Sequence, residues 1–407
     1  MPSLPGIIID RPHGAEAEDA FFRLTSEVEK VTELYRHLHA NPRVSGDEGD
    51  TLRTLMDELP AAFEKETLPG NVGIVRIGEA GPSVAIRAEM DALPILEETD
   101  LPWAATTGAM HACGHDVHMA AFVAVARTIA AMTVSPAPLV GILQPREEVG
   151  DSGAHDVLRA GVLDTHDIGA VIGAHLQPAL ESKAFSCTSG PVNAAADEFK
   201  VVFAGQASHG AYPHHSSDPL LAVSAFVVSC QQIVARNVDP TQSAVLTVGT
   251  IKGGSSPNAI PDSAEVTGTI RTMSEEQRLM VQRRLREVAN GIAAAHDCAV
   301  RLEIRKGEPI LRNDPELAAE IERLLDGQGH TLREFRSYGS DDFAFYASAA
   351  RAVMIFTGTE VEAGNLHSNT FTPDAGAISR VATAMLTGYL AAAHILKQHG
   401  PVHPSVS

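Results

Sequence analysis

The sequence predicts an α/β protein of two domains, one nested inside the other, and three observations predict it. The chain has 407 residues, more than one hydrophobic core ordinarily serves. Before about Asn193 and after about Pro309, short apolar runs alternate with stretches of helical periodicity, as in strands packed under helices. Between those points the order is strand, helix, strand, strand, helix, strand, a self-contained ferredoxin-like α+β unit. The expected division is 1–192 and 310–407 for the outer domain and 193–309 for the insert.

From Glu16 to His39, apolar residues such as Phe22, Leu24, Val28, Val31, Leu34, Tyr35 and Leu38 recur at helical spacing. This predicts a surface helix ending near Asn41-Pro42, since proline disfavours helix at the residue before it. A second helix is expected from Gly46 to about Leu59. Asn71–Ile77 and Ser83–Ala88 read as strands joined by a Gly-Pro turn, and Pro138–Leu143 and Ala170–Ala174 as two more. In the insert the expected strands are 198–203, 243–251, 264–273 and 298–305, with helices over 218–237 and 274–296. Helix 314–327, strand 353–357 and helix 375–397 complete the outer domain.

The segment His111-Ala112-Cys113-Gly114-His115-Asp116-Val117-His118 puts three imidazoles, a thiol and a carboxylate into eight residues. Gly114 permits a tight bend, and Asp116 is the expected cap of a helix over the small, apolar run Met119–Met132. Cys113 and His115 are thus expected just ahead of a helix N-terminus, where backbone N–H groups and the helix dipole favour a thiolate. A thiolate beside an imidazole is the chemistry of a transition-metal site. His118, three residues after His115, is placed to line the pocket or orient a ligand without touching a metal.

Functional groups then recur at strand ends, where ligands gather in open α/β sheets. Glu89 and Asp91 follow the strand at 83–88, Glu147 and Glu148 follow that at 138–143, and His175 ends that at 170–174. A carboxylate placed like Asp91 commonly orients a ligand histidine. Adjacent glutamates point in different directions, so one can ligate a metal while the other faces a water as general base. His367 lies in the loop 365–369, where an ordinary surface role is equally open. In the insert, His209 follows the first strand, Asn258 occupies a Gly-Ser-Pro turn and Arg271 ends a strand. Composition alone assigns neither Asn258 nor Arg271 a function, since asparagine is a common turn former and arginine a common solvated charge. The set Cys113, His115, Glu148, His175 and His367, with Glu147 as base, is chemically sufficient for a hydrolase using zinc, manganese, cobalt or nickel.

The formal net charge of −20 argues against nucleic acid or an anionic membrane as a partner. Cys113, Cys187, Cys230 and Cys298 are scattered with no CxxC pair, which suits reduced thiols and a cytoplasmic location. Met1–Arg11 shows neither a basic n-region nor an apolar stretch of secretory length, and no run is read as approaching transmembrane length.

Taken in order, these pieces resemble the M20 metallopeptidases, and within them the aminoacylase or hippurate hydrolase-like amidohydrolases. The resemblance rests on Leu38-His39-Ala40-Asn41-Pro42, Met90-Asp91-Ala92-Leu93-Pro94, His111 to His118, Gln144-Pro145 with Glu147-Glu148, and His175. It continues through His209 with Pro213-His214, Asn258-Ala259-Ile260-Pro261-Asp262, Gly268-Thr269-Ile270-Arg271 and Leu366-His367-Ser368, so nearly the whole chain is covered. It implies a catalytic α/β/α domain with a mixed sheet that holds one or two divalent metal ions, and an inserted lid that also makes a homodimer. Cys113, His115, Glu148, His175 and His367 match the metal ligands, Glu147 the catalytic glutamate, and Asp91 an acid behind the ligands. His209 matches a lid histidine that helps bind the substrate carbonyl, often across the dimer. Asn258 and Arg271 match substrate-binding lid residues, which supplies a cation for a substrate carboxylate in an acidic protein. Three positions depart from the pattern: Glu89 stands where aspartate is common, Asp341 where glutamate is common, and Arg146 where a small residue is expected.

The implied reaction is hydrolysis of the amide bond of an N-acyl or N-aroyl amino acid, with Glu147 passing the proton of water to the leaving amine. A dipeptidase, a carboxypeptidase-like peptidase and a deacetylase of an N-acetyl-diamino acid belong to the same reaction class. A thiol hydrolase with Cys113 as nucleophile and His115 as base leaves Glu147, Glu148 and His175 without a role. A non-catalytic metal-binding dimer leaves the glutamate pair without one.

Overall fold

Strands covered by helices on both faces must be apolar throughout, and Ser83–Glu89, Leu139–Gln144 and Ile168–Gln177 are buried along nearly their whole lengths. The computed structural model describes residues 14–361 and 364–400, so the Met1–Arg11 segment lies outside the described residues. The chain divides into two compact units, one of residues 1–190, 312–335 and 342–407, the other of residues 191–311 and 336–341. Asp341 therefore groups with the second unit and Asp342 with the first.

The first unit is built on a mixed sheet of eight strands. Its first five are β1 (Glu64–Leu68), β2 (Val72–Ile77), β3 (Ser83–Glu89), β4 (Leu139–Gln144) and β5 (Ile168–Gln177). The spatial order is β1, β2, β4, β3, β5, then Arg351–Gly358, Ala184–Ser186 and Thr331–Leu332. β3 runs parallel to β4 and β5, and Arg351–Gly358 runs parallel to β5. β2 and β3, expected as a joined pair, do not pair, because β4 lies between them. All three are apolar on both faces, so no alternation marks which neighbours they take. The mostly exposed edge strand β1 carries too little apolar patterning to be read from sequence.

The first expected helix is two, α1 (Gly14–Lys30) and α2 (Thr32–Ala40), parted at Val31. α3 (Gly49–Glu58) follows, and α4 (His115–Ala130) is buried on almost every side. α4 packs against α1, β3 and the closing helix Ala377–His399. Its Phe122, Val125 and Ile129 join Met385, Leu386 and Tyr389 in one core.

The second unit has a four-stranded antiparallel sheet in the order Ala244–Gly253, Ser263–Thr272, Ala195–Ala204, Ala299–Lys306. Helices Pro219–Asn237 and Glu275–Ala295 cover one face, where Phe199, Val201 and Phe203 meet Phe226, Ile233 and Leu285. By length and composition Pro219–Asn237 is apolar enough to cross a membrane, which corrects the expectation that no run approaches that length. Its Ala222, Val223, Phe226, Cys230 and Ile233 are buried in this unit's core, which accounts for the apolarity.

Candidate metal and catalytic site

Because β3, β4 and β5 are parallel, their C-terminal ends open on one edge of the sheet. That edge collects Glu89 and Asp91, then Glu147 and Glu148, then His175, and the start of α4 adds Cys113 and His115. Gly114 is the N-cap of α4 with φ 85°, and a Cβ on it would lie 2.9 Å from Leu176 Cδ1. Only glycine meets both conditions without strain. Asp116, expected as the cap, is instead inside the first turn, with Oδ2 2.6 Å from His39 Nδ1.

The candidate ligands converge. One ligand atom each from Cys113, Glu148 and His367 lie within 4.8 Å of one another, as do those of His115, Glu147 and Glu148. Cys113 Sγ is 3.5 Å from His175 Nε2. His115 Nε2 is 3.8 Å from Glu147 Oε2 and 3.9 Å from Glu148 Oε1, and His367 Nε2 is 3.5 Å from Glu148 Oε1. His367 sits in a left-handed turn (φ 65°), and its backbone N–H donates to Ala112 O at 2.8 Å, which ties its loop to the cysteine segment.

Both buried histidines of this group have Nδ1 anchored on a backbone carbonyl, His115 on Asp91 O at 2.8 Å and His175 on Leu176 O at 2.6 Å. The anchoring makes Nδ1 a donor and turns Nε2 toward the thiol and glutamates. Asp91 Oδ2 accepts from Ser45 Oγ at 2.7 Å and from the Glu148 N–H at 2.9 Å. It thus holds a ligand histidine from behind and the glutamate loop from one side. His118 touches neither thiol nor glutamate pair in this way. Its Nδ1 donates to Glu89 Oε1 at 2.7 Å and its Nε2 accepts the Leu176 N–H at 3.0 Å, so both nitrogens are used.

The electrostatics favour a cation. Burial, then the charges of Glu148, Glu147 and Glu89, push the Cys113 thiol well above its usual range. The helix N-terminus therefore does not by itself make the expected thiolate. Burial works against a charged His115, yet Asp91, Glu89 and Glu148 outweigh it and raise the group to about 10. His175, buried beside His118, falls to about 3. His115 Nε2 and Glu148 Oε1 are buried with no hydrogen-bond partner among the described residues. Buried polar atoms without partners are costly. A divalent ion held among imidazole, carboxylate and thiol satisfies both atoms and brings the thiol down. The residues present therefore fit a metal.

Comparison with known proteins agrees. Residues 85–382 match the profile of peptidase family M20/M25/M40. The chain belongs to the M20 peptidase family. It is 37% identical over 352 residues to an N-acetyl-L-cysteine deacetylase of Bacillus subtilis, covering 85% of this chain and 84% of that one. It is 30% identical over 370 residues to a hippurate hydrolase of Campylobacter jejuni, covering 88% and 95%. A solved dinuclear metal-binding peptidase of the M20 family, from Bacillus subtilis, superposes with a TM-score of 0.79 at 30% identity, covering 92% of this chain and 99% of that one. This M20 protein is a metal-dependent amidohydrolase.

The remaining candidates lie in the second unit. His209 pairs with Ala259 in a short antiparallel bridge, and the Gly210 N–H donates to Asn258 O at 2.8 Å, which brings His209 and Asn258 into one corner. Arg271 donates through a terminal guanidinium nitrogen to Ser340 Oγ at 2.6 Å.

One supporting group lies outside the candidates the sequence offers. Arg87, 1% exposed, pairs with Glu89 at 2.8 Å and Asp342 at 2.7 Å. Asp342 also accepts from Gln144 at 2.8 Å and Ser152 at 2.6 Å. This network fastens the ends of β3 and β4 beneath the glutamate loop. A lone arginine inside the apolar run Val84–Ala88 was the available signal, since a charge buried in a central strand requires partners.

Proposed function

We propose that this M20 protein hydrolyses the amide bond of N-acyl or N-aroyl amino acids, with Cys113, His115, Glu148, His175 and His367 as ligands of one or two divalent ions and Glu147 as general base. One observation carries the division of labour. Glu148 belongs both to the group with the thiol and His367 and to the group with His115, whereas Glu147 shares only the latter. A carboxylate beside the ligands but outside the thiol group is placed to take a proton from water.

When bound, a divalent ion supplies Lewis acidity toward a water and the scissile carbonyl. Glu147 takes the proton of the attacking water and delivers it to the departing nitrogen, so the amine leaves neutral. Asp91 keeps His115 and the Glu148 backbone in place throughout. His209, Asn258 and Arg271 are proposed to bind the substrate, the guanidinium taking its carboxylate. The acyl amino acid class is supported by the deacetylase and the hippurate hydrolase to which the chain is similar. Zinc, manganese, cobalt and nickel all suit the donor set.

We further propose a cytoplasmic homodimer. The free thiols of all four cysteines suit a reducing compartment. Exposed Leu221 and Val228 on helix 219–237 and Ile251 on an edge strand of the second unit suit a self-association surface.

The test is a panel of N-acetyl, N-benzoyl and longer N-acyl amino acids alongside dipeptides, with metal-loaded protein and free amino acid as readout. Release from acyl amino acids is expected. Turnover of dipeptides alone would overturn the substrate assignment.

A further inference from the structure

Glu147 lies between two backbone amides, and each is held by a buried carboxylate. On its C-terminal side the Glu148 N–H donates to Asp91 Oδ2 at 2.9 Å. On its N-terminal side the Arg146 N–H donates to Glu48 Oε1 at 3.0 Å. Glu48 is wholly buried, and the Gly46 N–H donates to the same oxygen at 2.8 Å while Asn71 Nδ2 donates to Oε2 at 3.3 Å. It occupies the N-cap of α3, but its side chain makes no hydrogen bond to that helix. A carboxylate at an N-cap ordinarily serves its own helix, so this one is turned to another task.

The task lies in the backbone of Arg146. Its φ is 52°, in the left-handed region that a residue with a Cβ avoids. Such a conformation persists only where its surroundings over-determine it. Here the N–H is fixed by Glu48, the carbonyl accepts the Gly153 N–H at 3.2 Å, and the guanidinium pairs with Asp156. The short segment Ser45–Glu48 reaches both sides of the base, since Ser45 Oγ donates to the same Asp91 oxygen that holds Glu148.

We propose that Glu48 is a positioning residue for Glu147: its carboxylate holds the Arg146 N–H and thereby fixes the left-handed turn from which the base is presented. The proposal rests on Glu147 being the base. Asp91 still holds the Glu148 backbone when Glu48 is altered, so losing Glu48 disturbs proton transfer more than metal binding.

The experiment compares Glu48→Ala and Glu48→Gln in the full chain by kcat, KM, metal stoichiometry and hydrogen exchange of the peptide containing 145–150. In Glu48→Ala, kcat falls roughly a hundredfold, the scale of a misplaced catalytic group. KM stays within about threefold, metal stoichiometry holds and exchange at 145–150 rises. Glu48→Gln keeps an oxygen that accepts both N–H groups, and so restores most of kcat and the slow exchange. Should Glu48→Ala not fold, Glu48→Asp, which draws the oxygens back by one methylene, is expected to lower kcat with metal retained. A kcat within about threefold of the parent in Glu48→Ala, or in Glu48→Asp where it stands in, would overturn the proposal, as would a Glu48→Gln variant no better than alanine. A parent protein inactive on every N-acyl substrate would refute the functional reading instead. The exchange measurement then decides on its own whether Glu48 holds the turn, and unchanged exchange in Glu48→Ala rejects it.

Discussion

Replacing His118 with phenylalanine should weaken metal binding without removing a ligand. The imidazole is completely buried, gives Nδ1 to Glu89 at 2.7 Å and receives the Leu176 N–H on Nε2 at 3.0 Å. Phenylalanine fills similar space but makes neither bond. Losing a bond to a charged acceptor costs about 1.5–3 kcal/mol, and orphaning a buried N–H about 1–3 kcal/mol. The two share one side chain and are not additive, so about 3–5 kcal/mol of destabilisation follows. For a chain of 407 residues that lowers the thermal midpoint by roughly 4–6 °C. Leu176 adjoins His175, so the ligand is loosened too, and metal affinity should fall by about ten- to a hundredfold, as for other residues that orient ligands. Competition against a chromophoric chelator measures the affinity, and elemental analysis of saturated protein the stoichiometry. Unchanged affinity would refute the argument that His118 orients His175. Loss of one bound ion at saturation would show that His118 is itself a ligand.

Two other perturbations follow from particular contacts. Burial disfavours a charged His39, but hydrogen bonds to Asp116 and Glu97 prevail and raise it from 6.5 to about 10. A folded value above the unfolded one stabilises fully below about pH 6.5 and is lost as pH rises through about 10. The difference in thermal midpoint between the parent and His39→Gln should therefore be largest near pH 6 and shrink toward pH 10; a difference independent of pH would contradict the ion pair. A Cβ at position 153 would lie 1.9 Å from Pro145 O, whereas one at Gly291 meets nothing within 4 Å. Gly153→Ala should displace the glutamate loop and lower both stability, by about 1–3 kcal/mol, and kcat. Gly291→Ala, in helix Glu275–Ala295, should be neutral or stabilising by up to about 1 kcal/mol.

What the sequence discloses here is what is local or repeated. The helices at 219–237 and 275–295 announce themselves through periodicity, and Asp91, Glu147, Glu148 and His175 stand out because each comes at or shortly after the end of an apolar run. The rest depends on partners distant in the chain. β4 enters between β2 and β3 because three apolar strands carry no mark of order. Asp116 is a good helix cap by type, but it sits inside the first turn, where Oδ1 accepts the Val117 N–H at 2.9 Å and His39, 77 residues away, takes Oδ2. Cys113 lies beside a helix N-terminus that favours a thiolate, yet burial among glutamates from β3 and the β4–α5 loop, where α5 is Gly153–Arg159, has the stronger influence. Glu48 looks like an ordinary acid in a polar loop, and only the fold brings it to the Arg146 N–H.

The most direct test of the account is metal titration of metal-free protein, comparing the parent with Glu147→Gln for release of amino acid from an N-acyl substrate and for bound metal. The parent should regain turnover as metal is added. Glu147→Gln should bind metal at the same stoichiometry yet turn over about a hundred- to ten-thousandfold more slowly, the range for loss of a general base. Turnover by the metal-free parent, or parent-like turnover by Glu147→Gln, would contradict the account.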